Sequence, residues 1–344
     1  MRSQQVVRAL LAIRPELRIH VRTTAPEWIF HDTITPIHYS RQAIDTGIVQ
    51  SDSLHMELAA TLAVCRAIYA NPQKLIDQEL AFVKANAIDL IVADTPPLAF
   101  EIAAQAGVPS VSITNFTWDV IYRAYVAAYP EFAPLIDTMT QCYGKATHAL
   151  TLPYPCDTAM FPRQQRIPWI ARKSELTKMQ TRQAFALPQT ATIVLLSFGG
   201  LGLDRLPLKQ MSRQREYFFV MTGTGHRRES NLLTLPETQT HYQDLLRAAD
   251  AIVTKPGYGI VADVLAQHVP ILYTDRGDFA EYPQLVAALR DCATAEFIPQ
   301  QELLRGNLSP YLSRLLAKPS HWPDIELNGA QVAAQKILSM LDSA

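Results

Sequence analysis

The chain has 344 residues, 48% of them hydrophobic and 18% charged, enough apolar material for two well-filled domains and too much for a disordered chain. Its formal net charge of -1 excludes a broad nucleic-acid footprint, which needs clustered excess Lys and Arg. The pairs Arg172-Lys173 and Arg227-Arg228 are too small to alter this and read as solvated faces.

In chain order, QQVVRALLAIRPEL carries apolar residues at helical spacing, and Arg8 and Arg14 interrupt it, so no signal peptide is expected. RIHVRT alternates as a short strand. A long helical region from Leu54 to Asn86 is expected to break near Asn71-Pro72. IDLIVAD reads as a parallel strand buried on both faces, PPLAFEIAAQAG as a helix closed by Gly107, and VPSVSIT as the next strand. This alternation signals a doubly wound α/β sheet. Such a domain ordinarily opens with a central strand and a ligand-binding loop. A helical start implies that another strand fills the middle of this sheet or that its first element is missing.

From Leu152 the proline-rich PYPCDTAMFPRQQRIPW lacks periodicity and reads as an interdomain connection. ATIVLLSFGG, EYFFVMTG, HYQDLLRAAD, AIVT and VPILYT then restart the alternation. The closing GAQVAAQKILSMLDSA is an amphipathic helix suited to capping either domain. The expected division is a first domain over 1–151, a linker over 152–182, a second domain over 183–325 and a terminal helix over 326–344. Cys65, Cys142, Cys156 and Cys292 have no metal-ligand spacing and read as buried or incidental thiols of a reducing compartment. No apolar run approaches the ~20 residues that span a bilayer. A cytoplasmic protein is the expectation, with membrane association not indicated.

Several stretches carry candidate chemistry at predicted strand ends, where open α/β sheets collect ligands. Lys255-Pro256-Gly257-Tyr258-Gly259-Ile260 lies between the strand AIVT and a helix, with Asp263 about one and a half turns in. Glycines there allow close backbone approach, helix amides attract anions, and Asp263 is placed to meet paired ribose hydroxyls. An ordinary strand-to-helix turn reads equally well from the spacing alone. Ser197, Gly199 and Gly200 open a second glycine loop, either an amide nest or a tight turn. In YTDRGDFAEYPQ, Arg276 suits a phosphate oxygen, while Glu281 and Gln284 suit sugar hydroxyls. GTGHRRES, from Gly223 to Ser230, is placed to approach a base or phosphate. On the first-domain side, Asn115, Trp118 and Tyr122 offer an acceptor surface, and Asp94 and Asp119 are candidate general bases. No nucleophile elbow, Walker loop or HExxH motif occurs.

AADAIVTKPGYGIVADVLAQHVPILYT resembles the donor-binding half of the peptidoglycan N-acetylglucosaminyl transferase. NFTWDVIY, SFGG, KPGYGIV and YTDRGDFAEYP, in that order, more closely resemble bacterial glycosyltransferase-like proteins related to the N-terminal part of L-arabinokinase. The resemblance covers nearly the whole chain. It implies the α/β GT-B fold, two Rossmann-like doubly wound domains facing a cleft, with the first strand and its HGxGH loop missing here. It further implies transfer from a nucleoside-diphosphate sugar, most often a UDP-sugar, to a small-molecule, lipid or glycan acceptor, with no tightly bound cofactor or metal. Asp263 stands where the fold usually has Glu. Sugar-kinase activity does not carry over, since nothing here matches that kinase domain. A nucleotide-sugar-binding module without catalysis and a nucleotide-sugar 2-epimerase are the alternatives.

Overall fold

The computed structural model describes residues 2–30, 37–51, 55–198, 206–223, 225–236 and 241–343. The first lobe opens with α1 (Arg2–Ile13), whose Val6, Leu10 and Leu11 point inward at helical spacing. β1 (His20–Thr23) and β2 (His38–Arg41) pair in parallel as a two-stranded sheet. The expected helical region splits into α2 (Leu58–Tyr69) and α3 (Pro72–Ala85). Pro72 starts the second helix at a position that needs no N–H. Then come β3 (Ile91–Ala93), α4 (Leu98–Ala106), β4 (Ser110–Thr114), α5 (Trp118–Arg123), α6 (Phe132–Tyr143), β5 (His148–Thr151) and β6 (Gln164–Arg166). The last four strands form a parallel sheet in the order β3-β4-β5-β6. α4 closes on Gly107, whose φ of 71° is open to glycine without Cβ strain.

β3 departs from the expectation of burial on both faces, because Val92 is 41% exposed. It is an edge strand, and among the described residues no strand pairs with its outer side. Both sheets nevertheless lie against α3. Phe82 meets the ring of His20 edge-on at 5.6 Å, and Ile76 and Val83 pack with Leu98 and Ile91.

The stretch expected to be an irregular connector holds β6 and the start of α7 (Lys178–Ala184). β6 is three exposed polar residues at a sheet edge, so it carries no apolar alternation. α7 is started by a capping box between Thr177 and Gln180.

The second lobe continues with β7 (Thr192–Ser197), α8 (Leu208–Met211), β8 (Tyr217–Gly223), β9 (Arg227–Glu229), β10 (Leu232–Pro236) and α9 (Tyr242–Ala248). β11 (Ala251–Thr254), α10 (Tyr258–Gln267), β12 (Ile271–Tyr273), α11 (Tyr282–Cys292) and β13 (Ala295–Phe297) complete its alternation. α12 (Gln300–Leu304), α13 (Ser309–Ala317) and α14 (Gly329–Leu341) follow. The seven-stranded sheet has the order β13-β12-β11-β7-β8-β10-β9 and is parallel except for β9. Its central strands are buried runs, Ile193 to Leu196 and Ala251 to Val253.

One apolar cluster joins the lobes, with Val6 and Leu10 of α1, Val111 and Leu150 of the first sheet, Trp169 of the connector, Ile193 and Val261 of the second lobe, and Ala333 and Ile337 of α14. The terminal helix thus packs on α1 and crosses between lobes. Gly329 fixes that crossing. Its N–H donates to the Trp169 carbonyl at 3.0 Å, and an added Cβ would stand 2.2 Å from the Pro168 oxygen. Gly329→Ala is therefore expected to lower stability by about 1–3 kcal/mol through overpacking, measured as a reduced urea midpoint.

Candidate functional site

In the second sheet β7 is flanked by β8 on one side and β11 on the other, so the strand order reverses there and a crevice opens at the carboxyl ends. Ser197 ends β7, and its Oγ lies 2.8 Å from the Tyr242 hydroxyl. Gly199 and Gly200 lie outside the described residues. Thr254 ends β11, and Lys255, Pro256 and Gly257 turn the chain into α10. Gly257 has extended backbone (φ -140°), which any residue adopts. A Cβ at Gly257 or Gly259 would meet nothing within 4 Å. Neither glycine is demanded by the turn; both leave room in front of the first-turn amides, and Ile260 is half-buried behind them. Tyr258 is buried, stacks on Trp169 with centroids 4.9 Å apart, and keeps its hydroxyl without a partner among the described residues.

Beyond β12, Arg276 Nη1 donates to Glu281 Oε2 at 2.6 Å and its guanidinium lies 3.8 Å from the Phe279 ring centroid. Arg276 Nε is buried with no partner among the described residues. Glu281, 2% exposed, also accepts from Asn115 Nδ2 at 2.7 Å, a bond between the lobes. Gln284 is half-buried on the first turn of α11. The stretch Gly223 to Ser230, expected to approach a base or phosphate, begins at the carboxyl end of β8 and includes β9, the outer edge strand, where Arg227 pairs with Glu229 in solvent. β9 stands four places along the sheet from β11, which sets Arg227 and Arg228 apart from the crevice.

Asp263 departs from its expected role. It is 1% exposed, and Arg172 takes both carboxylate oxygens: the backbone N–H donates to Oδ1 at 2.7 Å, and Nε and Nη2 donate to Oδ2. Arg172, expected on a solvated face, is 13% exposed at its side chain and lies over the Tyr242 ring, 5.1 Å from its centroid. A small cavity of about 40 Å³ beside it is lined by Gln4, Gln5, Arg8, Lys173 and Gln243 as well as Arg172, a cationic setting suited to an anion.

On the first lobe, the strand ends of β3 and β4 present Asp94 and Asn115. Arg2 grips Asp94 through Nε at 2.8 and 2.9 Å, Ser3 Oγ adds 2.8 Å, and Arg2 Nη1 donates to Asn115 Oδ1 at 2.6 Å. Burial alone would push the Asp94 carboxyl up, but the charge and hydrogen bonds of Arg2 overcome it and hold the group below the usual range. Thr95 follows with φ 81°, a strained conformation for a β-branched residue, of the sort that clusters at ligand sites.

Asp119 and Tyr122 do not face the cleft. Asp119 is fully buried, with Oδ2 bonded to Thr140, and Tyr122 is a core residue donating to the Gly47 carbonyl. On α5 these two positions turn toward α6 and α2, which spacing alone left open. Trp118 remains half-buried, and its Nε1 donates to Asp45 Oδ2 at 2.6 Å. Asp45 lies in no motif, and its partner is 73 residues away. No pattern in the sequence marks it, because β2, four residues before it, is the short polar HYSR without an apolar run.

No family model matches the chain. Over 340 residues it is 28% identical to L-arabinokinase of Arabidopsis thaliana, covering 97% of this chain and 32% of that protein. The chain therefore spans about a third of the length of the curated relative it matches. Among solved structures it is similar to the calicheamicin glycosyltransferase CalG4, with a TM-score of 0.61 at 16% identity over 98% of this chain and 91% of that one. UGT89C1 of Arabidopsis thaliana, complexed with UDP, matches with a TM-score of 0.59 at 14% identity over 98% and 95%. At such identities the likeness establishes the fold, which is GT-B. No helix among the described residues is long and apolar enough to cross a membrane.

Proposed function

We propose that the chain transfers a sugar from a nucleoside-diphosphate sugar, with UDP as the nucleotide, to an acceptor hydroxyl across the cleft between its lobes. The observation that carries this reading is open space in front of a helix N-terminus, with buried donors that lack partners close to it. The first-turn amides of α10 sit behind Gly257 and Gly259, with buried Tyr258 Oη and Arg276 Nε nearby and without partners among the described residues. Buried donors without partners are costly unless a ligand takes them up. A diphosphate is the ligand that matches a helix N-terminus with a guanidinium beside it.

In this reading the amides of Tyr258, Gly259 and Ile260 hold the diphosphate, with Lys255 adding charge and Arg276 reaching a phosphate oxygen. They stabilise charge developing on the leaving group, so the reaction needs no metal for that purpose. Glu281 orients Arg276 and, with Gln284, borders the sugar. Asp263 acts through Arg172, whose Nη1 is left to meet the nucleoside. The crevice of this fold and the UDP complex of the UGT89C1 structure support the choice of nucleotide. Acceptor chemistry falls to the first-lobe side around Trp118; Asn115, expected there, is buried with its amide committed to Arg2 and Glu281.

Gly259→Ala tests the reading by calorimetric titration with UDP, ADP and GDP. Alanine in place of a helical glycine is expected to hold or raise stability by about 0.5–1 kcal/mol. The same methyl should weaken the preferred diphosphate about tenfold, a change of ~1.4 kcal/mol. Equal affinity in both proteins would mean that the diphosphate does not sit against the first turn of α10. A wild-type chain that binds none of the three would end the reading.

A further inference from the structure

Resting on the transfer reading, we propose that Asp45 is the general base that takes the acceptor's proton, and that Asp94 and Asp119 are not. Asp45 stands four residues past the end of β2 and meets Trp118, which starts the helix after β4, on the side where the Asp94 charge reaches it. Its Oδ2 accepts from Trp118 Nε1 at 2.6 Å, which fixes the carboxylate. Among the described residues no other donor reaches it, so Oδ1 is left to accept a proton. The residue is half-buried, so its carboxylate is only partly solvated.

The surroundings of the three carboxylates separate their roles. Asp94 is neutralised by Arg2 and held low, a poor proton acceptor. Asp119 is sealed in the core. Asp45 is faced by Asp94 from the end of β3, by Cys65 and Tyr69 from α2, by Tyr122 from α5 and by Tyr143 from α6, with no cation among them. Burial, with the Asp94 charge adding to it against the Trp118 hydrogen bond, pushes its carboxyl up to about 6. Carboxylates driven apart in this way divide acid–base work, and a base near the working pH is the efficient one. Phe116 lies edge-on to Trp118 at 5.2 Å and to Phe279 of the second lobe at 6.1 Å, so the base stands beside an aromatic wall built by both lobes.

The step balances simply. The acceptor oxygen gives an electron pair to the anomeric carbon while the bond from that carbon to the diphosphate oxygen breaks. That bonding pair leaves on the diphosphate, and the hydroxyl proton passes to Asp45 Oδ1. Water can replace the acceptor, so UDP release from a UDP-sugar reports the same proton transfer.

The test compares wild type, Asp45→Asn and Asp45→Glu by UDP release from a panel of UDP-sugars, by UDP calorimetry and by intrinsic tryptophan fluorescence against pH. Asp45→Asn is expected to bind UDP as wild type does and to lose about 100-fold or more in kcat. Wild-type kcat/KM should fall on the acid side with a midpoint near 6. Asp45→Asn should lack that limb, and Asp45→Glu should restore part of the rate. Wild-type fluorescence should titrate at the same midpoint through the Trp118 bond, a step absent from Asp45→Asn. Unchanged kcat and pH profile in Asp45→Asn would overturn the assignment while leaving the transfer reading intact. UDP binding with no release from any UDP-sugar, or no fluorescence step in wild type, would also overturn it. A wild-type chain that binds no UDP would take down the transfer reading and this assignment together.

Discussion

Asp263→Ala is expected to cost about 3–5 kcal/mol of stability, the loss typical of removing one partner from a buried ion pair. The carboxylate is 1% exposed and receives three hydrogen bonds from Arg172, one of them from the backbone of the connector. Truncation leaves a guanidinium in the seam between connector, α9 and α10 with no counter-charge. The double variant Arg172→Met with Asp263→Leu should recover most of the loss, because apolar groups of similar size replace such pairs without penalty. The exposed pair Arg227–Glu229 is the control; breaking it should change stability by no more than about 1 kcal/mol. Urea denaturation of the four proteins decides the matter. Full stability in Asp263→Ala would show that the carboxylate is not committed to Arg172, and would return it to the ribose role that its place on the helix first suggested.

That residue also marks the boundary of what local pattern conveys. The KPGYG turn, the buried runs of β7 and β11 and the helix break at Asn71-Pro72 rest on neighbours in sequence, and those neighbours are visible in the string. Asp263 meets a residue 91 positions away, and Asp45 meets one 73 positions away. Period and composition say that a face is polar without saying which distant group will cover it. Val92 is the apolar counterpart: an aliphatic run looks buried wherever it stands, yet an edge position leaves one of its residues 41% exposed. α14 was legible as an amphipathic helix; its docking on α1 and the connector was not, since an apolar stripe does not name its partner. The candidate site divides along the same line. Its glycines and strand ends are local, whereas the chain of bonds across the cleft is not.

That chain makes Glu281→Ala the substitution with the widest consequences. Asp94 holds Arg2, Arg2 donates to Asn115, Asn115 donates to Glu281, and Glu281 receives Arg276. The Asn115–Glu281 bond is the link of this chain that crosses between the lobes, and Glu281 is 2% exposed. Its loss strands the Arg276 guanidinium, which already has a buried Nε without a partner among the described residues, and frees the Asn115 amide. The expected cost is again about 3–5 kcal/mol. Two further effects separate this variant from Asp263→Ala. UDP affinity should fall more than about tenfold, because Arg276 keeps its charge but loses the carboxylate that aims it. Unfolding should also broaden or split into two transitions, since lobes joined by a smaller and less polar seam behave more independently. Glu281→Gln should lie between, because its amide can serve only one neighbour as an acceptor and presents a donor to the other. A single sharp transition together with wild-type UDP affinity in Glu281→Ala would mean that Arg276 is aimed by Phe279 and the Pro256 carbonyl, and that the bond between lobes carries neither binding nor cohesion.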